Sequence, residues 1–478
     1  MQRGGFWLGV ALFIGMLAIG PPDGLSLAGW RTAAVTALMA TWWFTEAVPV
    51  TLTGSLPFLL LPILGVAKPE AVAGLYMSPV LFLVLGGAVI GLAFEKWDLH
   101  RRMALAVVAR AGAEPGRLLF AIMAVTAFIS MWVNNSATTV MMLPIATATL
   151  VAVTRTLGSA NPDPHEQHFA SALVLSIAYA SNIGGFSTPI GTPVNPIVIG
   201  ILDKNLDVQI TFLQWLAFGV PLMLVALPVT WWLLRIAFPF RMETGSPESI
   251  AAAIGRTPPM GTPEHRVLAV VVVTSAAWVT LPVLEKLVPG LTDAGIAIAA
   301  ALALAVIPSG ERRTPSRGRF LIEWSDARQA PWYLILLLGG GLALADAVVK
   351  SGLSAWLGDA TQAVAGLPLG LLVLVVAAMC IVVTECASNV ATASIFMPIA
   401  ATLALAGHHD PVVVSLAAGL AASWGFANPA GTSSNAMVFA TGKVRVTDML
   451  RAGLLVDLAG AVLIALTCAL LVPRMTLG

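Results

Sequence analysis

Two apolar runs near residue 130 are separated by a short polar stretch. Residues 118–133 and 140–153 are largely apolar, and Asn134-Asn135-Ser136-Ala137-Thr138-Thr139 lies between them. Each run is shorter than the ~20 residues that cross a bilayer comfortably. Polar, non-helical backbone at membrane depth persists only where protein or a watery cavity surrounds it. The pattern therefore predicts a re-entrant hairpin over residues 118–154 with a functional polar tip.

The same pattern recurs in the second half of the chain. Residues 368–406 contain two apolar runs around a tip that includes Ser388-Asn389-Val390-Ala391-Thr392. Superposing Asn389 on Asn135 also aligns Pro398 with Pro144. Interrupted hydrophobic segments at corresponding places in two halves of a membrane protein mark a binding site between the halves. We predict a second re-entrant hairpin over residues 368–406.

Two other apolar segments are interrupted by residues that a continuous helix does not tolerate. The segment 170–202 contains residues 181–195, and the segment 412–441 contains residues 427–435, both rich in Gly, Pro and hydroxyl side chains. Proline removes a backbone donor and clashes with the preceding turn. An exterior loop is the alternative, but apolar sequence flanks each interruption. We expect two broken helices.

A glycine motif supports an internal duplication. Leu85-Gly86-Gly87 reappears as Leu338-Gly339-Gly340-Gly341, at nearly the same interval before each hairpin tip. We predict N-terminal helices over 1–44, a first repeat over 45–240, a polar linker over 241–265 and a second repeat over 266–478. An odd number of crossings between equivalent points would invert the second repeat. The basic segments 96–117 and 312–328 favour the cytoplasmic side for both.

Composition defines the environment of the chain. Of its residues, 58% are hydrophobic and 10% are charged, with a mean hydropathy of +0.89. A soluble domain has about 25% charged residues. We predict an all-α polytopic membrane protein with about 11 transmembrane helices plus the two re-entrant hairpins. The net charge of +1 indicates no nucleic-acid partner. The three cysteines lie in apolar runs and indicate neither a disulfide nor a metal framework.

Several motifs resemble hallmarks of the divalent anion:sodium symporter (DASS) family of dicarboxylate, citrate and sulfate carriers. In the family's order they are Phe44-Thr45-Glu46-Ala47-Val48-Pro49, Glu95-Lys96-Trp97-Asp98-Leu99-His100-Arg101-Arg102, Thr188-Pro189-Ile190-Gly191-Thr192-Pro193-Val194-Asn195 and Leu338-Gly339-Gly340-Gly341. The resemblance spans residues 45–472 outside the linker. It implies two inverted repeats, an elevator-type transporter, a homodimer surrounded by membrane lipid, and a multi-pass location in the inner (plasma) membrane.

The resemblance also implies which residues bind substrate and sodium. For the substrate they are Asn134, Asn135, Ser136, Ser388, Asn389, Val390, Thr432 and Ser433. For Na⁺ as the coupling ion they are Ser130, Asn134, Asn135 and Gly191 in the first half, and Thr384, Ala387, Asn389 and Gly431 in the second. Three residues depart from the family pattern: Asn134 replaces a small hydroxyl residue, Val390 lacks a hydroxyl, and Ser433 replaces a proline.

The residue types at the tips suit an anion that travels with cations. Neither tip contains Lys or Arg. Asn, Ser and Thr supply neutral donors and acceptors, and helix N-termini add free N–H groups. These donors leave the charge of a dianion uncompensated, and sodium would compensate it. Each ligand would then lower the cost of binding the other.

We therefore expect sodium symport of small divalent anions, C4-dicarboxylates such as succinate, malate or fumarate. The alternatives are a sodium-independent dicarboxylate exchanger and a sulfate or citrate carrier. An intramembrane enzyme lacks support, since neither H-E-x-x-H nor G-x-S-x-G is present. A channel is disfavoured because two hairpins closing on one polar site suit alternating access.

Glu385 lies beside the second tip, in an apolar hairpin. An intramembrane carboxylate is functional by default, and proton coupling is one role for it. A structural hydrogen-bonding role is the favoured interpretation.

Overall fold

The computed structural model describes residues 2–112, 114–154, 163–241, 259–310, 318–360 and 362–474. Within these ranges the chain is helical, apart from turns, loops and one isolated β-bridge between Pro308 and Phe320. In chain order the α-helices are α1 (Gln2–Ile19), α2 (Leu27–Thr45), α3 (Val50–Thr53), α4 (Leu56–Ile63), α5 (Pro69–Tyr76), α6 (Pro79–Lys96), α7 (Leu99–Ala111), α8 (Pro115–Ser130), α9 (Asn135–Val153), α10 (Pro164–Gly185), α11 (Val194–Leu206), α12 (Phe212–Ala237), α13 (Thr262–Val279), α14 (Leu281–Leu287), α15 (Asp293–Val306), α16 (Trp324–Ala327), α17 (Leu334–Lys350), α18 (Leu353–Ala360), α19 (Gln362–Ala365), α20 (Leu369–Cys386), α21 (Asn389–Ala406), α22 (Pro411–Ala422), α23 (Ser433–Ala440) and α24 (Val446–Leu470).

Length and composition identify several of these helices as membrane spans. Among the described residues, six helical segments are long and apolar enough to cross a bilayer: 69–96, α9, α12, α20, α21 and α24. The pair α13–α14 adds a seventh if it counts as one span, although it bends by 82°. The all-α, multi-span prediction is confirmed, and the number of about 11 spans stays a prediction.

Both predicted hairpins are pairs of consecutive helices. The first consists of α8 and α9, and the Asn134 side chain caps α9 by accepting a hydrogen bond from the Ala137 N–H at 2.9 Å. Capping satisfies one of the unpaired N–H groups at a helix start. The second hairpin consists of α20 and α21, separated only by Ala387 and Ser388. Short connections keep each pair of helices adjacent, with the tip at one end.

Both broken helices are present, but their interruptions are displaced from the predicted ones. Helix α10 continues through Gly185, so the first interruption covers residues 186–193 instead of 181–195. Ser181 lies within the helix, and its hydroxyl donates to the Ala178 carbonyl of the preceding turn at 2.9 Å. The second interruption covers residues 423–432 and begins earlier than the predicted 427–435. Ser423 is the C-cap of α22, so this helix ends before Asn428-Pro429 and Gly431-Thr432, the residues that predicted the interruption.

The predicted linker 241–265 is too long at its C-terminal end. Helix α13 already begins at Thr262, where the Glu264 side chain accepts a hydrogen bond from the Gly261 N–H. This capping contact starts the helix three residues after Pro259. Residues 242–258 of the linker lie outside the described residues.

Close helix packing connects the two halves outside the hairpins. A Cβ on Gly86 of α6 would overlap the backbone of Ala297 in α15, and one on Gly340 of α17 would overlap the Gly54 carbonyl. Glycine lets the two backbones approach at each crossing. The glycine motifs of α6 and α17 are therefore packing motifs.

An aromatic stack lies beside the first hairpin tip. The ring of Phe212, at the start of α12, stacks on Trp278 of α13 at 4.1 Å between centroids. Trp132, from the tip itself, stacks on the same ring at 6.5 Å. Trp278 thus contacts two segments that pack around the tip.

Candidate functional site

The first hairpin tip is built around the amide of Asn135. Its Oδ1 accepts a hydrogen bond from the Ser130 hydroxyl at 2.9 Å, and its Nδ2 donates to Asn182 Oδ1 at 3.0 Å. Ser130 ends α8 and is fully buried, while Asn182 lies in the last turns of α10. The hairpin and the first broken helix thus meet through side chains.

The oxygen of this amide faces other oxygens. Besides Ser130, Asn135 Oδ1 lies 3.1 Å from the Ser181 carbonyl oxygen and 3.2 Å from that of Gly191. Turning the amide over would let its NH₂ group donate to these carbonyls. It would also place its oxygen 3.0 Å from Asn182 Oδ1. In either orientation of the amide, the Ser130 hydroxyl and the carbonyl oxygens of Ser181 and Gly191 converge on it. Hydroxyl, amide and carbonyl oxygens are ligands that hard cations take.

Two glycines allow the oxygens to converge. A Cβ on Gly185 would overlap the Asn135 amide, and one on Gly191 would overlap the carbonyl oxygen of Gly185 and lie 2.7 Å from that of Ser130. The Gly191 carbonyl oxygen thus lies 3.2 Å from the Asn135 amide, and the sodium role of Gly191 stays a prediction. The structure brings together Ser130, Asn135 and Gly191 of the predicted sodium residues.

The second tip repeats this arrangement. The Thr384 hydroxyl donates to Asn389 Oδ1 at 2.8 Å, across the same five-residue interval as Ser130 and Asn135. It also lies 2.7 Å from the Ala422 carbonyl oxygen at the end of α22. Thr384 is fully buried. A second cluster of hydroxyl, amide and carbonyl oxygens therefore joins this hairpin to the second broken helix.

Matching asparagines hold the two interruptions in the same way. Asn195 Nδ2 donates to the carbonyls of Gly185 at 3.0 Å and Thr188 at 2.6 Å. Asn435 Nδ2 donates to the carbonyls of Gly425 and Asn428, both at 3.0 Å and at the same sequence intervals of ten and seven. The loops have no helical hydrogen bonds of their own to satisfy these carbonyls, so each asparagine fixes its loop.

Glu385 clamps the second interruption. Its carboxylate accepts hydrogen bonds from the N–H groups of Ala427 and Asn428, each at 2.7 Å. Its main-chain carbonyl accepts from Asn428 Nδ2 at 3.2 Å. A Cβ on Gly431 would lie 3.0 Å from Glu385 Oε2. Glu385 thus has the structural hydrogen-bonding role favoured from the sequence, and its carboxyl group lies beside Gly431.

Hydrogen bonds cross between the two halves at the site. Ser136 Oγ lies 2.5 Å from Ser433 Oγ, and Asn182 Nδ2 donates to Thr432 Oγ1 at 3.1 Å. Thr432 also accepts from the Asn435 N–H at 3.1 Å as it caps α23. Ser136 and Ser433 occupy the first turns of α9 and α23, whose free N–H groups and positive dipole ends suit an anion. This is the point where one carboxylate could be held.

A cavity of about 320 Å³ opens beside the first tip. Asn134 and Pro193 line it, together with Trp132 from the tip and Glu95 and Tyr333 from α6 and the start of α17. Asn134 thus lies at the cavity wall and caps α9 at the same time. The cavity gives a small anion room to reach the tip.

The remaining predicted residues have fewer contacts with the site. Ser388 begins α21 without a side-chain capping bond. Val390 is 6% exposed and packs in the hydrophobic core, and Ala387 is equally buried in an extended conformation at the tip. The substrate and sodium roles of these three residues stay predictions.

Sequence reasoning missed Asn182, which contacts both Asn135 and Thr432. In the sequence, Asn182 lies within the predicted interruption 181–195. Its amide side chain among apolar residues is the signal that could have identified it. Asp457 was also missed, although it is a buried acid in the apolar helix α24. The rule that intramembrane carboxylates are functional could have found it.

The fold and site define a polytopic helical membrane protein with two helical hairpins and two broken helices, in which hydrogen bonds join each hairpin tip to a broken helix. The family follows from the comparison of sequences: residues 5–475 match the family described as "Sodium:sulfate symporter transmembrane region". The chain belongs to this family, which confirms the resemblance to divalent anion:sodium symporters.

Individual relatives are similar over nearly the whole chain. One is the "Sodium-dependent dicarboxylate transporter SdcS" of Staphylococcus saprophyticus, 37% identical over 479 residues, which are 99% of this chain and 92% of the relative. The protein of the same name from Staphylococcus aureus strain USA300 is 35% identical over 476 residues, covering 98% and 91%. Among solved structures, the Alcanivorax borkumensis YdaH transporter has a similar fold, with a TM-score of 0.58 at 15% identity over 93% of this chain and 99% of that one.

Proposed function

We propose that this protein carries C4-dicarboxylates such as succinate, malate and fumarate by sodium symport across the plasma membrane. The observation that carries the proposal is the set of oxygens that converge on the Asn135 side-chain amide: Ser130 Oγ at 2.9 Å and the carbonyls of Ser181 and Gly191 at 3.1 and 3.2 Å. The names of the relatives, sodium-dependent dicarboxylate transporters, support both the ion and the substrate class.

Each residue set has a distinct part in this proposal. Ser130, Asn135 and Gly191 hold one sodium ion, and Thr384, Ala387, Asn389 and Gly431 hold another. The hydroxyls of Ser136 and Ser433 bind one carboxylate of the substrate at the starts of two helices. Asn134, Ser388, Asn389, Val390 and Thr432 complete the pocket. Sodium orders the tips, and the dianion then binds the ordered donors, so each ligand raises the affinity for the other.

Transport requires the site to face each side of the membrane in turn. We propose that the hairpins and broken helices move as one body in an elevator motion against the other helices, within a homodimer of two inverted repeats. Hydrogen bonds join each hairpin to the broken helix of its own half and join the two broken helices to each other, which supports a single moving body. The protein acts as a carrier and not as an enzyme.

Uptake of labelled succinate into proteoliposomes tests the proposal. The vesicles have an inward sodium gradient or none, each with and without internal succinate. Symport predicts sodium-driven uptake into empty vesicles. Uptake only into preloaded vesicles, indifferent to sodium, would contradict symport and make the protein an exchanger. Labelled sulfate and citrate serve as competing substrates, because the family description names sulfate.

Two variants connect the assay to the site. Asn135→Ala and Asn389→Ala are expected to lose uptake and its sodium dependence, since each removes an amide oxygen from an oxygen cluster. The matched control is Asn205→Ala near the end of α11, far along the helix from the first interruption. Intact uptake in both site variants would refute the assignment.

A further inference from the structure

Three polar side chains form a chain of hydrogen bonds from the first hairpin tip to the second half of the protein. One end of the Asn182 amide contacts the Asn135 amide at 3.0 Å, and its other end contacts the Thr432 hydroxyl at 3.1 Å. Asn182 is 2% exposed. The Asn135 amide also lies against the first oxygen cluster, which is formed by the Ser130 hydroxyl and the carbonyls of Ser181 and Gly191. Asn182 therefore connects this cluster to the hydroxyl that caps α23.

This chain of hydrogen bonds has a direction, because an amide group has a donor at one end and an acceptor at the other. With Asn135 Oδ1 toward the first oxygen cluster, Asn135 donates to Asn182, which donates to Thr432. Thr432 Oγ1 also accepts from the Asn435 N–H at 3.1 Å. Both lone pairs of this hydroxyl are then used, so its proton is left for a ligand. Ser433, the next residue, lies where one substrate carboxylate could be held.

The opposite direction satisfies the same contacts. If the Asn135 amide turns over, its NH₂ group donates to the carbonyls of Ser181 at 3.1 Å and Gly191 at 3.2 Å. Its oxygen then faces Asn182, so the Asn182 amide must turn over with it and become the donor. The Asn182 oxygen now lies toward Thr432, whose hydroxyl donates to it while still accepting from the Asn435 N–H. In this direction the Thr432 proton is used within the protein.

Sodium in the first oxygen cluster favours the first direction, because a cation takes the Asn135 oxygen as a ligand and repels the NH₂ group. Without a cation the second direction is favoured, because the NH₂ group then donates to carbonyls that otherwise face an oxygen. We propose that Asn182 is a positioning residue that couples sodium binding at the first tip to substrate binding. Sodium binding turns both amides, which releases the Thr432 proton for a substrate carboxylate. The inference rests on the proposed sodium symport.

The coupling through Asn182 belongs to the first tip alone. When Asn435 is aligned with Asn195, the place of Asn182 is taken by Ala422, which has no side-chain hydrogen-bonding group. Attraction between sodium and a dianion acts from either tip, whereas the directed hydrogen bond needs Asn182. Hydrogen bonds to a charged group are stronger than those between neutral groups. Release of one proton therefore changes substrate affinity measurably.

The effect of sodium on succinate affinity tests this coupling. Labelled succinate is bound to the purified protein in sodium chloride and in an equal concentration of choline chloride. The ratio of the two Kd values is the coupling factor. Asn182→Leu keeps the branched shape of the side chain and removes both amide contacts. We expect it to lower the coupling factor about tenfold. The change should come from tighter binding in choline chloride, because Thr432 then has a free proton without sodium.

A purely structural role for Asn182 gives a different result. In that case Asn182→Leu weakens succinate binding in both solutions at an unchanged coupling factor, which overturns the proposal. Ser176→Ala is the matched control on the same helix, since that buried hydroxyl donates to the Leu173 carbonyl. It should keep the wild-type factor. Binding of ²²Na⁺ with and without saturating succinate gives the same factor, because coupling is reciprocal, and it applies where succinate binds weakly in choline chloride.

Variants at the other end of the chain carry the test if Asn182→Leu does not assemble. Thr432→Val should also lower the coupling factor about tenfold, here through weaker binding in sodium chloride. Adding Asn182→Leu to it should change the factor no further. Thr432→Ser keeps the hydroxyl and should keep the wild-type factor. Equal factors for Thr432→Val and Thr432→Ser would overturn the proposal. Equal succinate affinity of the wild type in both salts would instead refute the proposed symport.

Discussion

Ser136 Oγ and Ser433 Oγ lie 2.5 Å apart, although 297 positions separate them in the sequence. Their equivalents in the other halves are apolar. Val390 is the third residue of the second tip motif, as Ser136 is of the first, and Pro193 follows Thr192 as Ser433 follows Thr432. The two hydroxyls therefore meet at one end of the site, and the equivalent positions at the other end have none.

Removing one of these hydroxyls should weaken substrate binding. Ser433→Ala is expected to raise the KM for succinate about two- to tenfold, because a neutral hydrogen bond contributes about 0.5–1.5 kcal/mol. Sodium dependence should stay the same. Kinetics of succinate uptake in proteoliposomes measure the effect. Ser423→Ala is the control, since that hydroxyl lies in the same interruption, is buried and has no hydrogen-bond partner. Equal KM values for both variants would contradict a substrate role.

Adding a hydroxyl at the other end should have the opposite effect. Val390→Thr keeps the shape of the side chain and places a hydroxyl at the position equivalent to Ser136. If the substrate reaches this end, its affinity should rise by up to about tenfold. If Val390 only packs in the core, the buried hydroxyl lacks a partner and costs about 1–3 kcal/mol of stability at unchanged affinity. Substrate competition and thermal unfolding together distinguish these results.

Loss of the Thr384 hydroxyl should weaken sodium binding. Thr384→Val keeps the volume and removes the contacts with Asn389 and with the Ala422 carbonyl. We expect the sodium concentration for half-maximal uptake to rise about tenfold, which corresponds to ~1.4 kcal/mol. Succinate affinity at saturating sodium should hardly change. Thr402→Val is the matched control, because the Thr402 hydroxyl donates to the Pro398 carbonyl within its own helix, α21. A similar loss in both variants would indicate a packing effect.

A methyl group at Gly185 should disrupt the first tip. Its Cβ would overlap the Asn135 amide, so Asn135 must leave the oxygen cluster. Overpacking of this kind costs about 1–3 kcal/mol, and sodium-driven uptake should fall more than about tenfold. Gly370→Ala is the control, since a Cβ there meets nothing within 4 Å. Uptake at several sodium concentrations measures the effect. Equal uptake by Gly185→Ala and Gly370→Ala would contradict the prediction.

The hairpins could be predicted from the sequence because their signals are local. The predicted bounds 118–154 and 368–406 agree with those of α8–α9 and α20–α21 to within three residues. The apolar runs define the helices, and Asn134 and Ser388 are residue types that begin helices. The limits of the broken helices were less predictable. Ser181 and Asn182 look like breakers in sequence, yet their side chains form hydrogen bonds with Ser434 and Asn135, and α10 continues through both residues.

The site was predictable as far as its motifs extend. The motifs identified Asn135 and Asn389, and the structure surrounds both with oxygens. Asn182 and Asp457 belong to no motif. Their partners lie far away in sequence, so only the folded chain brings them to the tips. The contact between Ser136 and Ser433 was beyond prediction for the same reason.

The hydroxyls of Ser136 and Ser433 at one end of the site, without counterparts at Val390 and Pro193, have a stereochemical consequence. A bound molecule therefore meets two different ends. Succinate and fumarate present the same group at either end, whereas malate carries a hydroxyl next to only one of its carboxylates. Malate should therefore bind in one preferred direction.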